Sequence, residues 1–181
     1  SPGPGLGGHC IPIDPHYYIE IASRFGVASA MSPAARDLNS SMPRHNAREV
    51  IRLCGGKAPR KILILGFSYK PNVSDSRETP VQPLIDELLS LGTNEILVWD
   101  PHSSPFSSDK VSEISNPYDH EGVECIVIAT AHDEVLNLDW RRLRDSLLKP
   151  RIFDGRRCLD PQALLKDGWD FHAVGRPMEG D

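Results

Sequence analysis

A cysteine and an aspartate four residues apart, Cys10 and Asp14, stand directly behind a run of glycines and prolines near the start of the chain. Glycine and proline at this density do not form a regular helix or strand, so this segment is predicted to be a shaped loop. A thiolate is a nucleophile, and a carboxylate orients water or a proton. If the turn after Cys10 is helix-like, the two side chains share one face and can act together.

A lone cysteine is more often a small buried apolar residue than a nucleophile. The loop favours the reactive interpretation of Cys10, because backbone N–H groups, a helix N-terminus or His9 supply what a thiolate needs. The other cysteines, Cys54, Cys125 and Cys158, lie far apart without a C-x-x-C pair or zinc-ligand spacing. We therefore expect no metal, and we expect free thiols in a reducing, cytoplasmic setting.

The composition is that of an ordinary globular protein. Of the 181 residues, 39% are hydrophobic and 25% are charged, and the formal net charge is −5. An acidic balance argues against a nucleic-acid or anionic-membrane surface, and no apolar run reaches membrane-spanning length. We expect neither nucleic acid nor membrane as a partner.

The elements that must position Cys10 and Asp14 begin with helices. Helical periodicity predicts a short amphipathic helix over residues 17–25. A second, long helix is predicted to begin at Ser32-Pro33, as N-cap and first-turn proline, and to end at Gly55-Gly56, with Pro43 kinking or dividing it.

From residue 58 onwards, predicted strands and helices alternate. The strands are expected at 62–65, 95–99, 124–129, 151–153 and 169–173, with a brief strand at 110–113 left open. The helices are expected at 80–91, 139–148 and 161–166. This alternation predicts an α/β fold, a doubly wound, mostly parallel, Rossmann-like sheet preceded by a helical connector. We place the domain boundary between residues 1–57 and 58–181.

The long loop after the first strand, residues 66–80, carries Lys70 and Arg77. Ligands in open α/β sheets lie beyond the carboxyl ends of the strands, where cations suit phosphates. We expect no G-x-G-x-x-G fingerprint in this chain, which disfavours primary dinucleotide binding by this domain alone. The alternative interpretation is a surface ion pair among Asp75, Arg77 and Glu78.

Three groups of residues, in this order, resemble the UDP-glucose/GDP-mannose dehydrogenase family. They are Gly3-Pro-Gly-Leu-Gly-Gly-His-Cys-Ile-Pro-Ile-Asp-Pro15, then Gly66-Phe-Ser-Tyr-Lys70-Pro with Asp75-Ser-Arg77-Glu-Thr-Pro80, and then the strand ends Val98-Trp-Asp100-Pro101, Ile126-Val-Ile-Ala-Thr-Ala-His132 and Ile152-Phe-Asp154-Gly-Arg156. Ile13 stands where the UDP-glucose branch commonly has a lysine. The first motif is therefore more similar to the UDP-N-acetylhexosamine branch.

The resemblance implies the C-terminal part of an NAD-dependent UDP-sugar 6-dehydrogenase. Such an enzyme oxidises the C6 alcohol of a UDP-N-acetylhexosamine to the uronate, through a thiohemiacetal and a thioester on the cysteine. The site residues that it implies are catalytic Cys10 and Asp14, substrate-binding Gly3, Gly7 and Lys70, and cofactor-binding Arg77.

The resemblance also implies partners. They are a UDP-sugar substrate, the protein's own N-terminal Rossmann domain, which holds most of the NAD, and a second copy that forms a homodimer through the connector. The chain opens inside a glycine-rich loop without an initiator methionine, so we expect a fragment that is inactive alone. The alternative is a stand-alone, non-catalytic nucleotide-sugar-binding or dimerisation module.

Overall fold

Six strands form one sheet, and six helices precede or connect them. The computed structural model describes residues 3–104 and 108–176. The strands are β1 (Lys61–Leu65), β2 (Glu95–Trp99), β3 (Val111–Glu113), β4 (Cys125–Ile128), β5 (Arg151–Asp154) and β6 (Asp170–Ala173). The helices are α1 (Asp14–Arg24), α2 (Met31–Leu53), α3 (Val81–Ser90), α4 (Asp133–Leu136), α5 (Trp140–Ser146) and α6 (Pro161–Lys166).

The sheet has the order β3-β2-β1-β4-β5-β6, and all neighbouring strands are parallel. The predicted α/β class and the doubly wound, parallel sheet are therefore confirmed. The chain winds to one side of β1 as far as β3 and then to the other side from β4. At such a switch point the loops that follow the two central strands diverge and leave a crevice at their carboxyl ends.

The core consists of two apolar layers, one on each face of the sheet. In β1, Ile62 and Ile64 pack into the layer that contains α3, whereas Leu63 and Leu65 pack into the layer that contains Leu143 of α5. Successive strand side chains point to opposite faces. Because helices cover both faces, the strands need apolar residues at every position, which explains their uninterrupted apolar runs.

The second half of α2 belongs to the same core as the sheet. Ala47, Val50 and Leu53 are buried and pack with residues of β1 and α3. In α1, by contrast, the one buried residue is Ala22. The connector is thus anchored to the sheet by its last turns and extends away from it at its first turns. The predicted boundary at residue 57 stays a prediction.

The predicted start of α2 is wrong, and of the two outcomes predicted for Pro43, a kink or a division, the division is not observed. The helix begins at Met31 with Ala30 at the N-cap, and the Ser32 hydroxyl accepts a hydrogen bond from Ser29 Oγ at 3.1 Å instead of capping. Pro43 does not divide the helix. Pro43 removes one backbone hydrogen bond, but it is buried, and packing of the following turns against the core stabilises the helix on that side. The short helix α4 was not predicted.

Gly66 occupies the first position after β1, where the chain passes very close to the neighbouring loop. Its φ is +88°, and a Cβ there would lie 2.7 Å from the carbonyl oxygen of Thr130. A non-glycine residue costs ~1–2 kcal/mol in left-handed backbone, and overpacking adds about 1–3 kcal/mol. We expect Gly66→Ala to lower the free energy of unfolding by both amounts, as measured by urea denaturation.

Gly168 is the matched control, since its φ is +84° but a Cβ there would meet nothing within 4 Å. Gly168→Ala should show the backbone cost alone. An equal loss of unfolding free energy in the two variants would contradict the close approach of the loops that follow β1 and β4.

Candidate functional site

A cavity of about 350 Å³ lies at the carboxyl edge of the sheet, between the N-terminal loop and the loops that follow β1 and β5. Its lining includes Gly3, Gly5, Leu6, Gly7, Ile11, Asn39, Tyr69, Lys70 and Arg156. We call this space the Lys70 cavity. It contains all three residues predicted to bind substrate, and residue 11, next to the predicted nucleophile, is part of its wall.

Arg156 is a cation that sequence reasoning did not assign to the site. Burial lowers the pKa of its guanidinium. Among the described residues, no side-chain carboxylate or other hydrogen-bond acceptor pairs with this guanidinium. The guanidinium passes directly over Gly3, where a Cβ would collide with Nη1. The carboxylate of Asp154 lies within electrostatic range but forms no ion pair with it. A desolvated cation without an ion-pair partner favours an anionic ligand.

The Asp-Gly-Arg turn after β5 was the available sequence signal for Arg156. The sequence did not show where this turn lies, because that depends on β5 being the neighbour of β4 in the sheet. In the turn, the carboxylate of Asp154 accepts hydrogen bonds from the backbone N–H groups of Arg156, Cys158 and Leu159 at 2.8–2.9 Å. These bonds fix the backbone from which the Arg156 side chain enters the cavity.

Lys70 is exposed and lies in the long loop between β1 and α3, which we call the Lys70 loop (residues 66–80). No ion pair joins Lys70 to a carboxylate within the parts of the chain that the structure describes. Lys70 and Arg156 therefore bring two positive charges that are not ion-paired with any described residue to one cavity. Two such groups suit a diphosphate or another multiply charged anion.

The glycines of the N-terminal loop make room for the Lys70 loop. A Cβ on Gly7 would lie 2.6 Å from the Glu78 carbonyl oxygen and 2.7 Å from Tyr69 Cβ, and one on Gly8 would lie 2.7 Å from the Tyr69 ring. The N–H of Gly8 donates to the carbonyl of Arg77 at 3.1 Å. Close packing against the Lys70 loop therefore explains why positions 7 and 8 are glycine. The backbone of Gly7 also lines the cavity.

Cys10 is exposed and begins a helical turn that leads into α1. Its carbonyl accepts hydrogen bonds from the N–H groups of Ile13 at 2.9 Å and Asp14 at 2.8 Å. This i to i+4 bond is the helix-like turn that puts Cys10 and Asp14 on one face. Asp14 is the first residue of α1, where a carboxylate is stabilised by the helix dipole.

The other three thiols are less accessible than Cys10. Cys54 and Cys125 are buried in the core. Burial raises the pKa of the half-buried Cys158 thiol to about 12, and the neighbouring carboxylate of Asp154 adds to this effect. Cys10 is therefore the thiol most accessible for chemistry.

Arg77 forms the ion pair with Asp75 that was the alternative interpretation of this segment. Arg77 Nη2 lies 2.7 Å from Asp75 Oδ2, and Nε lies 3.0 Å from Oδ1. The hydrogen bond from Arg77 lowers the pKa of Asp75 to about 2, and Asp75 in turn raises the pKa of Arg77. Glu78 is not part of this pair. Arg77 also lies within electrostatic range of Cys10, so a positive charge lies near the thiol.

Asp100, at the end of β2, is a buried charge that organises the surrounding loops. Burial opposes its ionisation, but hydrogen bonds from His132 and from backbone N–H groups outweigh burial and hold the pKa of Asp100 well below its usual value. The donors include the N–H groups of Phe67 at 2.6 Å and Ser68 at 2.8 Å. The start of the Lys70 loop is therefore fixed to β2.

His102, His132 and Glu134 bring possible metal-ligand atoms within 4.8 Å of one another. Both ring nitrogens of His132 are already hydrogen bonded, Nε2 to Asp100 at 3.0 Å and Nδ1 to the N–H of Asn72 at 3.0 Å. A neutral imidazole with both nitrogens engaged has no lone pair left for a metal. This group is thus a hydrogen-bond network, and the expectation of no metal stays an expectation.

The described residues do not fit a dinucleotide cradle. The expectation that the G-x-G-x-x-G spacing is absent is wrong, since Gly3, Gly5 and Gly8 match it. This loop does not lead directly into a helix, however, because α1 begins six residues after Gly8. Space next to Gly7 and Gly8 is filled by Tyr69. In a dinucleotide-binding turn these glycines would instead admit the pyrophosphate at a helix N-terminus.

No helix among the described residues combines the length and apolar character needed to cross a bilayer.

Comparison with known proteins places the chain in a family. The UDP binding domain of the UDP-glucose/GDP-mannose dehydrogenase family matches residues 63–161, and the central domain of that family matches residues 1–41. A UDP-N-acetyl-D-mannosamine dehydrogenase of Methanococcus maripaludis is 33% identical over 97% of this chain and 40% of its own length. A UDP-glucose 6-dehydrogenase of Bacillus subtilis is 28% identical over 97% of this chain and 39% of its own length.

Two solved structures have the same fold. An NDP-N-acetyl-D-galactosaminuronic acid dehydrogenase of Methanosarcina mazei superposes with a TM-score of 0.84 at 25% identity over 97% of this chain and 39% of that one. The UDP-D-ManNAc dehydrogenase of Pyrococcus horikoshii gives a TM-score of 0.77 at 28% identity over 97% and 40%. The chain thus spans about 40% of the length of these relatives, and the order of its motifs, its sheet and both domain matches agree: it belongs to the UDP-glucose/GDP-mannose dehydrogenase family.

Proposed function

We propose that this chain is the C-terminal part of an NAD-dependent UDP-sugar 6-dehydrogenase that acts on a UDP-N-acetylhexosamine. The observation that carries the proposal is the Lys70 cavity, in which two cations that form no ion pair with the described residues lie beside the loop that presents the exposed Cys10. A nucleotide diphosphate supplies the missing negative charge, and its sugar extends toward the thiol.

The diphosphate is assigned to Lys70 and Arg156. A guanidinium can hold two phosphate oxygens through parallel hydrogen bonds, whereas an ammonium acts as a point charge that adapts its position. Gly3 and Gly7 contribute backbone to the same wall and leave room for the ligand. The choice of an N-acetylhexosamine as the sugar is supported by the relatives named UDP-N-acetyl-D-mannosamine dehydrogenase. It is also supported by Ile13, which stands where the UDP-glucose branch commonly has a lysine.

The chemistry is assigned to Cys10 and Asp14. The thiolate of Cys10 adds to the C6 aldehyde and forms a thiohemiacetal, whose oxidation leaves a thioester on the same sulfur. Asp14 positions or deprotonates the water that hydrolyses the thioester to the uronate and frees the thiol. Arg77 stabilises negative charge beside the thiol. When its ion pair with Asp75 opens, the guanidinium binds a cofactor phosphate.

NAD is the two-electron acceptor in this proposal, and two equivalents, each taking up one hydride from C6, would be needed to oxidise the alcohol to the uronate. Because the described residues offer no cradle for its pyrophosphate, we assign most of the NAD contacts to a separate Rossmann domain of the same protein. The stand-alone binding module remains the competing function, since UDP binding alone needs none of the NAD contacts.

A second copy of the chain is proposed to cover the connector. Phe25 is 80% exposed and Met31 is 85% exposed. Further apolar side chains exposed on α1, α2 and the turn between them are Tyr17, Tyr18, Ile21, Val27 and Leu38. Several large apolar side chains exposed on one connector favour a protein interface, and a symmetric pair of connectors buries them in both copies.

UDP binding tests the cavity. We expect Lys70→Ala and Arg156→Ala each to weaken UDP affinity about tenfold or more, because a charge-assisted hydrogen bond contributes about 1.5–3 kcal/mol. Uridine affinity should change little, since uridine lacks phosphates. Both ligands are measured by calorimetry, and the melting temperature should stay nearly constant because neither cation forms an ion pair or side-chain hydrogen bond with the described residues.

Lys149→Ala is the control, because Lys149 is exposed before β5, at the opposite edge of the sheet. An equal loss of uridine and UDP affinity in the cavity variants would contradict assignment of the cations to the diphosphate. A similar loss in the control would show nonspecific electrostatics.

Turnover tests the enzyme against the module. We expect this chain alone to form no NADH from UDP-N-acetylmannosamine, UDP-N-acetylglucosamine or UDP-glucose, and the complete protein to do so. In the complete protein, Cys10→Ser should reduce uronate formation at least roughly 10³-fold. Asp14→Asn should accumulate a covalent sugar adduct on Cys10, detectable by intact mass. UDP binding without turnover by the complete protein would favour the module instead.

Dimerisation tests the connector. Phe25→Glu should raise the dimer dissociation constant about tenfold or more, as is typical for a central apolar interface residue. Leu165→Glu, at a 49% exposed position on α6, is the matched control and should leave it unchanged. Sedimentation equilibrium measures both, and a wild-type chain that is monomeric at high concentration would refute the proposed pairing.

A further inference from the structure

The Lys70 loop has no regular secondary structure at the residues that line the cavity. Tyr69 and Lys70 lie on this irregular backbone between β1 and α3. A cation on a mobile loop binds a phosphate weakly, because binding must also order the loop. The contacts that hold residues 67–72 in one shape therefore determine how well Lys70 serves the cavity.

The first half of this segment is attached to Asp100. The carboxylate accepts hydrogen bonds from the N–H of Phe67, the N–H of Ser68 and the hydroxyl of Ser68 at 3.1 Å. The carbonyl of Ser68 accepts a bond from Thr130 Oγ1 at 2.6 Å. Tyr69 and Lys70 thus follow a backbone that is fixed on both its N–H and its carbonyl sides.

The second half is attached to His132. The N–H of Asn72 donates to His132 Nδ1 at 3.0 Å, so Nδ1 must carry a lone pair. The single ring proton is then on Nε2, which donates to Asp100 Oδ2 at 3.0 Å. The structure therefore assigns one neutral tautomer to His132, whose side chain is fully buried.

Asn72 adopts the backbone conformation that this bond requires. Its φ is +59°, in the left-handed region that asparagine tolerates better than most residues. Its side-chain Oδ1 accepts a hydrogen bond from the N–H of Asp133 at 3.0 Å. Asn72 and residues 132–133 are thus joined by two reciprocal bonds between the loops that follow β1 and β4.

We propose that His132 is a positioning residue for the substrate site: with Asp100 it links both ends of the segment 67–72, so that Lys70 is held ready for the diphosphate. The proposal rests on the proposed function for its ligand. His132 itself is buried beneath the loop and does not line the Lys70 cavity. Its effect on binding is exerted through the loop backbone alone.

Two substitutions separate the two bonds of the ring. His132→Asn places an amide oxygen near the position of Nδ1 and retains an acceptor for the Asn72 N–H, while His132→Gln retains a donor for Asp100 and loses that acceptor. We expect His132→Gln to speed hydrogen exchange of the Asn72 amide and to weaken UDP binding roughly tenfold. His132→Asn should protect the Asn72 amide better and bind UDP more tightly than His132→Gln.

A double-mutant cycle identifies the route of the effect. If His132 acts through Lys70, the variant Lys70→Ala/His132→Gln should bind UDP nearly as well as Lys70→Ala alone, because the positioned cation is already absent. A merely structural role predicts additive losses. Additive losses, or UDP affinity that does not follow Asn72 protection, would overturn the proposal.

The wild-type chain supplies a test that needs no substitution and no ligand. Nitrogen-15 NMR should show His132 with Nδ1 unprotonated and Nε2 protonated, and with slow exchange at the Asn72 amide. A ring protonated at Nδ1, or rapid exchange at Asn72, would refute the proposal. If the wild-type chain fails to bind UDP, the proposed ligand is wrong, and these NMR measurements still decide whether His132 holds the loop.

Discussion

The buried charge of Asp100 is the constraint that shapes the carboxyl edge of the sheet. A carboxylate removed from water needs several donors, and Asp100 obtains them from the loops that follow β1, β2 and β4. Each donor fixes a loop that the parallel strands alone would leave free. Phe67 and His132 come from the two sides of the switch point, so the same carboxylate joins the halves of the doubly wound sheet where the crevice opens.

Much of the fold is readable from the sequence because both faces of the sheet are covered. Uninterrupted apolar runs such as that of β1 mark strands buried on two sides, and their alternation with helices determines the parallel architecture. The start of α2 was not readable, since Ser32 carries a capping residue type but the helix already begins at Met31. Local propensity at Pro43 was likewise overridden by packing against the core, which sequence periodicity does not encode.

The candidate site was readable where one segment carries several functional residue types together. Gly3, Gly7 and Lys70 were found from motifs, and the structure brings them to one cavity. Arg156 and His132 were not assigned roles, because their importance depends on the order of β4 and β5 in the sheet and on desolvation. Neither property is visible in a linear pattern, whereas the lack of an ion pair at the Arg156 guanidinium among the described residues is evident once its neighbours are known.

The reciprocal bonds between Asn72 and residues 132–133 have a consequence for how such a site changes during evolution. An insertion or deletion between β1 and Asn72 would displace the backbone N–H from the ring and the side-chain amide from the start of α4 at once. The segment is therefore constrained in length as well as in residue type. New substrate preferences are accordingly expected to arise through substitutions of exposed cavity-lining side chains such as Leu6 and Ile11, while the spacing from Gly66 to Asn72 stays constant.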